Sequence, residues 1–346
     1  MKYNSSKNTL TVLGVDLAKQ SFQLHGVDAA GQVMLKKKLN RNKLSAFIAQ
    51  LPICLIGIEA CSGANYWARV FTRYGHTVRM IAPQFVKPFV KSNKNDAVDA
   101  EAICEAVQRP SMRFVPAKSV EQQDIQSLHR VRSQAVARRT AQSNQIRGLL
   151  MEYGIVIPKG ISHVRKEIPC ILEDATNELT FIFRELLKEL YDEMVHLDER
   201  IQRLENKLES ICKQNENCQR LLTIPGIGLL SATAMVAAIG DVNVFKNGRE
   251  LAAWLGLVPR QHSTGGKPTL LGISKRGDTY LRTLLIHGGR TVVRVAEKYQ
   301  DKRNKWINQL EQRRGKNISA VAIANKNARI AWALLSHKTT YQASTV

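Results

Sequence analysis

No two cysteines in this chain stand at the C-x-x-C spacing of a zinc ribbon, and none has a histidine pair at finger distance, so a structural zinc module is excluded. The six that are present, Cys54, Cys61, Cys104, Cys170, Cys212 and Cys218, fall mostly in apolar or helical surroundings and read as small buried hydrophobes in a reducing compartment. No apolar run approaches the roughly 20 residues that a membrane span needs. Residues 1–10 are polar and lack the apolar core of a secretory leader. No internal repeat is evident. The expectation is a soluble, intracellular protein with no membrane partner.

Acid is scarce as well. The 346 residues carry 29 Asp and Glu against 51 Lys and Arg, a formal net charge of +22. A surplus of that size repels itself unless a polyanion neutralises it, so nucleic acid is the expected partner, bound in a specific role or merely by adhesion. Hydrophobic residues make up 44% of the chain, ample for buried cores and for two or more domains.

Residues 11–16 read as a short apolar strand ending in Asp16. Residues 22–27 and 32–39 follow as antiparallel partners, with the turn at Asp28-Ala29-Ala30-Gly31. A helix at 44–51, a second apolar strand at 54–59 ending in Glu59, a helix at 64–74 and a strand at 77–82 come next. With the helix that starts near Asp96, the order β-β-β-α-β-α-β-α predicts a mixed sheet carrying helices on its faces. Residues 120–152 are helical in pattern and rich in Arg and Gln. Between 187 and 211, apolar residues at Leu187, Leu190, Met194, Leu197, Ile201, Leu204, Leu208 and Ile211 recur at spacings of three and four. That is an a/d seam, compatible with a dimerising coiled coil or with a hairpin inside one chain. Composition changes after residue 217, and the tail from 278 is helical and basic. The fold class is α/β plus all-α.

Asp16 and Glu59 both stand at the C-terminal end of an apolar strand, where ligands gather at α/β sheet edges. Asp96 and Asp99 lie three apart at the start of a helix, on one face, so both can point at one ion. Asp96 is also explained as an N-cap and Asp99 as compensation of the helix dipole. Glu101 competes locally but leaves the helix at a different angle. Carboxylates that converge without cations repel one another, and magnesium, or manganese in its place, relieves this with oxygen ligands. Such ions activate and steady the oxygens of phosphoryl transfer.

A second segment centres on His262-Ser263-Thr264-Gly265-Gly266-Lys267. Its two glycines let the backbone approach a phosphate, and Lys267 offers charge. It is neither a P-loop nor a G-x-S-x-G elbow, for the spacings of both are absent. Ser263 could attack phosphorus if deprotonated beside a neutralised phosphate, with His262, Lys267, Lys275, Arg276 and Arg282 as helpers. The local sequence alone favours an anion-binding turn with a bystander serine, and Thr264 is as good a hydroxyl. Upstream, Ile224-Pro225-Gly226-Ile227-Gly228 resembles a helix-hairpin-helix turn, in which Gly226 and Gly228 would present backbone N–H groups to phosphate. An ordinary core helix pair fits it too.

Taken together, Gly14-Val15-Asp16-Leu17-Ala18-Lys19, Gly57-Ile58-Glu59-Ala60 and Lys94-Asn95-Asp96-Ala97-Val98-Asp99-Ala100 resemble the metal motif of the insertion-sequence one-ten family of DEDD transposases, which includes site-specific DNA invertases. Residues 221–241, then Gly256-Leu257-Val258-Pro259 through Ser263-Thr264-Gly265-Gly266-Lys267 and Ile273-Ser274-Lys275-Arg276-Gly277, resemble its C-terminal domain. The resemblance implies an RNase H-like (RuvC-like) domain with trailing basic helices over 1–155, a coiled-coil helical linker over 156–217 and a mainly helical transposase domain over 218–346. It implies that Asp16, Glu59, Asp96 and Asp99 hold magnesium while Ser263 attacks DNA and forms a phosphoserine intermediate. Gly226, Gly228, Gly265, Gly266, Lys267, Lys275, Arg276 and Arg282 would contact nucleic acid. Expected partners are the DNA of element ends and target, a structured noncoding guide RNA, and further copies of the chain. The expected setting is the bacterial cytoplasm, at the nucleoid. A junction-type nuclease using the carboxylates alone is the competing expectation.

Overall fold

A computed structural model describes residues 9–91 and 96–342, so Lys94 and Asn95 of the third motif lie outside the described residues. The chain divides into two compact units, Met1–Val120 and Glu121–Val346.

The first unit is built on a six-stranded mixed sheet. β1 (Val12–Leu17), β2 (Ser21–Val27) and β3 (Val33–Asn40) form an antiparallel meander. The Asp28 carboxylate accepts the backbone N–H groups of Ala30 and Gln32 at 2.9 and 2.8 Å, which makes the expected turn. α1 (Arg41–Ala49) follows, capped by the Asn40 side chain on the Lys43 amide. β4 (Leu55–Glu59), α2 (Ala64–Arg73) and β5 (Thr77–Ile81) add two strands parallel to β1. α3 (Pro83–Val86) and α4 (Asp96–Val107) lead to β6 (Phe114–Val115), antiparallel to β5. The sheet order is β3-β2-β1-β4-β5-β6.

Side chains alternate along each strand and so divide the core in two. Leu13, Val15, Ile56 and Ile58 pack with Trp67 and Phe71 of α2 on one face. Val12 packs with Ile103 and Val107 of α4 on the other. That alternation turns Gly14 and Asp16 of β1, and Gly57 and Glu59 of β4, toward the α4 face.

The second unit is helical. α5 (Val120–Met151), α6 (Ile161–Glu173) and α7 (Phe181–Gln214) come first. Arg132 pairs with Glu205, Arg139 with Asp198, and Gln142 with Glu193, so α5 and α7 run antiparallel. The seam positions Leu187, Met194, Ile201 and Leu208 are buried within the chain, Leu187 and Met194 together with Ile146 and Leu150 of α5. The heptad pattern is thus satisfied as an intramolecular hairpin, and by itself it no longer argues for a second copy. The basic helix α5, grouped by sequence with the first segment, packs here with the second unit.

α8 (Glu216–Leu222), α9 (Leu229–Ile239), α10 (Gly248–Trp254), α11 (Thr279–Val295), α12 (Lys302–Arg314) and α13 (Lys316–His337) form the remaining core around Met235, Leu251, Leu285 and Ala328. Between α10 and α11 stands a two-stranded hairpin, β7 (Pro259–Thr264) and β8 (Lys267–Ile273), which the sequence pattern does not announce. All six cysteines are free thiols, four of them buried.

Candidate functional site

The ends of β1 and β4 lie side by side because the strands are parallel and in register, Val15 beside Ile58. Asp16 and Glu59 each come one residue later. α4 crosses the same face, and it can do so closely because two residues beneath it have no side chain. A Cβ at Gly14 would lie 2.2 Å from the Ala100 carbonyl oxygen and 2.6 Å from the Cys104 nitrogen; one at Gly57 would lie 2.8 Å from the Val107 Cβ. The first turn of α4 is thereby held against the strand ends. Carboxylate oxygens of Asp16, Asp96 and Asp99 all fall within 4.8 Å of one another. Glu59 stands beside this trio and acts on Asp16 through its charge.

The electrostatics record the crowding. Burial, then the charges of Asp99, Asp96 and Glu59, push the Asp16 carboxyl up to about 6 from an ordinary 3.8. The neighbouring Cys61 thiol is raised by burial and by Glu59 and Asp16. Glu101 takes no part, for it faces Lys91 at 3.7 Å and His25 at 4.0 Å. The donor set is oxygen only and strongly negative. It fits a hard divalent cation, which would replace mutual repulsion with attraction.

The spacer glycines Gly14 and Gly57 were not singled out from sequence, yet their signal is there. Each stands two residues before a strand-end acid, and period-two alternation puts glycine and acid on one face.

The serine segment is the β7–β8 hairpin. Gly265 and Gly266 sit at φ of +59° and +77°, the left-handed pair that a two-residue hairpin turn requires. Their first duty is therefore the turn, and among the described residues nothing lies within 4 Å of where a Cβ on either would stand. Ser263 pairs with Pro268 across the ladder, and the whole of β7 is exposed. Alternation places Ser263 on one face with Gln261, whose Nε2 donates to the Ser263 Oγ at 2.7 Å. His262 and Thr264 are on the opposite face. This removes His262 as a local base for Ser263 and separates the two hydroxyls that the sequence left equivalent. Gln261 is a contact that sequence reasoning missed.

The remaining candidates divide. Lys267, Lys275 and Arg276 are exposed. Lys275 takes a left-handed backbone at φ +55°, in a loop tied to the chain before β7 by its N–H on the Gly256 carbonyl and by that of Ser274 on Val258. Arg282 is a correction. It is 7% exposed, and its guanidinium donates to the carbonyls of Leu255 and Arg276 and to Thr279 Oγ1, so it braces that loop instead of offering charge. Gly226, at φ +91°, is packed so closely on α11 that a Cβ would lie 2.8 Å from the Val292 Cγ2 and 2.9 Å from the Gly288 carbonyl oxygen, so it serves close packing. Gly228 precedes α9 with open space around it. Among the described residues no helix is long and apolar enough to cross a membrane.

Two segments of the chain match known families, the first of them running past Val120 to take in α5. Residues 13–155 match a family model described as a transposase of the DEDD type, and residues 218–304 match one described as the IS116/IS110/IS902 transposase family. The chain is 53% identical over 334 residues to a probable family 20 transposase of Pseudomonas aeruginosa, covering 96% of this chain and 99% of the relative. It is 47% identical over 341 residues to the transposase for insertion sequence element IS1111A of Coxiella burnetii, covering 99% and 94%. A pilin gene-inverting protein of Moraxella bovis is 30% identical over 148 residues, 42% of this chain and 44% of that protein.

Proposed function

Since the chain belongs to the IS116/IS110/IS902 family of transposases, enzymes that cut and rejoin DNA, we propose that it recombines DNA through a covalent link to Ser263, assisted by a divalent metal. The metal part of this reading is carried by the meeting of Asp16, Asp96 and Asp99, with oxygens within 4.8 Å, and the part given to Ser263 is supported by the match of residues 218–304 to the transposase family. In this reading residues 1–155 hold an RNase H-like (RuvC-like) domain and its trailing basic helix, 156–217 a helical linker and 218–346 the serine-bearing domain. A magnesium or manganese ion, held by Asp16, Asp96 and Asp99 with Glu59 beside them, would supply Lewis acidity to the phosphoryl group.

The work left to the chain is attack and charge neutralisation. The Ser263 oxygen bonds to phosphorus, the bond from phosphorus to one strand end breaks, and the serine proton leaves with the freed hydroxyl. Attack by the hydroxyl of another strand reverses the step and rejoins DNA. The exposed Lys275 and Arg276, in the loop after β8, would steady the phosphate, whereas Lys267 lies across the ladder from Thr264, on the face opposite Ser263. A structured guide RNA would read the target by base pairing, leaving the protein to hold backbones, a division that the surplus of 51 basic over 29 acidic residues suits. Handling two strands at once calls for at least two copies of the chain.

The test is denaturing electrophoresis after incubation with magnesium, element-end DNA and RNA transcribed from the element's flank. The wild type should give a protein–DNA adduct, whereas Ser263→Ala should bind nucleic acid and give none. An adduct that persists in Ser263→Ala overturns the assignment. Strand cuts ending in free phosphate, with no protein attached, would instead indicate a junction-type nuclease. Asp16→Ala, Asp99→Ala or chelation of the metal should abolish cutting while leaving binding nearly intact.

A further inference from the structure

The second unit contains an open groove of about 1570 Å³ between β8, α10, α12 and α13. Its walls are apolar, from Leu270 and Leu271 of β8, Ile318 and Val321 of α13, and the rings of Trp306 and Trp332. Leu270 is 67% exposed and Ile318 54%, so this apolar surface is uncovered. The rim carries Arg249, Arg314, Lys326 and Arg329, and among the described residues none that lines the groove is acidic. None of the four cations is in an ion pair among the described residues. The Lys326 ammonium rests over the Trp306 ring at 4.5 Å. Its pKa is lowered, by burial first and then by Arg303 and Arg329, as befits a cation crowded by cations.

An apolar protein segment would fill the floor but strand the rim charges. A regular duplex would satisfy the rim and leave the floor bare, because its base faces are stacked away. An unpaired strand satisfies both, with phosphates on the rim and base faces on the tryptophan and leucine surfaces. Register ties the groove to the serine. Leu270 lies directly across the ladder from Gln261, on the hairpin face that also carries Ser263. We propose that this groove holds the unpaired DNA bases flanking the phosphate that Ser263 attacks, an inference resting on the recombinase reading above.

The test uses the full chain, a fluorescent twelve-residue oligo-dT and a duplex of equal length. Leu270→Ser with Ile318→Ser trims exposed side chains only, and Arg314→Gln with Arg329→Gln removes charge from the rim. Each pair should weaken oligo-dT binding about tenfold while moving duplex affinity by less than about twofold. Oligo-dT carrying 5-iodouracil should crosslink on irradiation to Trp306 or Trp332. Unchanged oligo-dT affinity in both pairs overturns the proposal. Tighter binding of oligo-U, lost in the same variants, reassigns the groove to RNA and overturns it as well. A fall in oligomeric mass with oligo-dT binding intact assigns the groove to a second copy, which also overturns it. The adduct experiment tests Ser263 separately. Groove-dependent oligo-dT binding without any wild-type adduct would sink the recombinase reading and leave the binding site standing.

Discussion

A methyl group added at Gly14 would meet backbone on two sides, the Ala100 oxygen and the Cys104 nitrogen, and helical backbone cannot swing aside as a side chain can. Relief requires α4 to lift off β1, and the turn that carries Asp96 and Asp99 lifts with it. Overpacking of this kind typically costs about 1–3 kcal/mol. Gly14→Ala should therefore lower the melting temperature and abolish metal-dependent cutting, although it removes no carboxylate. Gly57→Ala meets the side-chain Cβ of Val107, the last residue of α4, and should cost less activity. Parallel measurements of cutting rate and melting temperature check the order, and equal activity of Gly14→Ala and wild type would show that the helix position does not set the site. The acids themselves were legible in the sequence, because a polar residue closing an apolar strand has nowhere to go but the sheet edge. Arg282 was not. Its charge reads as a phosphate contact until the carbonyls of Leu255 and Arg276 are seen to converge on it, and convergence of backbone is a tertiary fact.

Elements with an apolar face are legible in the sequence, and those without are not. α7 carries a period because it has one side to bury, and β1 and β4 stand out as apolar runs because both of their faces are covered. The β7–β8 hairpin is exposed along nearly its whole length, so no alternation marks it, and Gly265-Gly266 reads as a phosphate cradle until its role as a turn is seen. The heptads of α7 are legible as a seam, but a seam does not say whether its partner is in the same chain. The ion pairs of Arg132 and Arg139 decide that. α5 is also joined to α9 and α11 by a buried histidine. Thr233 Oγ1 donates its only proton to the Leu229 carbonyl at 2.7 Å, so His129 Nε2 must be the donor in their 2.9 Å contact. His129 Nδ1 then accepts from the Tyr280 hydroxyl at 3.0 Å, and the ring is neutral. Burial, aided by Arg132, lowers its pKa from 6.5 to about 4. Between those values the unfolded chain takes up a proton that the folded chain refuses. Stability should thus fall as pH drops from about 6.5 to about 4, by about 3 kcal/mol in all. Urea midpoints at pH 7 and 5 should differ more for the wild type than for His129→Gln. Asp16, raised to about 6, works in the opposite sense but is common to both proteins and cancels in the comparison.

At the scale of the whole chain, the net charge of +22 has to be reconciled with where ion pairs form. Arg132 and Arg139 of α5 and Arg165 of α6 are spent on Glu205 and Asp198 of α7, holding those three helices together, and Arg282 is spent on carbonyls. A basic residue in this sequence is therefore not automatically a nucleic-acid contact, and the formal charge overstates the binding surface. The groove rim, Lys275, Arg276 and Lys267 remain as exposed or unpaired cations of the second unit. If six or more of these neutralise phosphates, affinity for DNA should drop on the order of a thousandfold between about 50 and about 200 mM salt, through counterion release. Replacing Arg132, already bound to Glu205, should leave the slope of log affinity against log salt unchanged while lowering stability. Replacing Arg314 or Arg329 should reduce the slope by about one for each phosphate no longer neutralised. Equal slopes for the paired and the unpaired arginines would mean that the ion pairs open on binding, and the division between structural and binding charge would then fail.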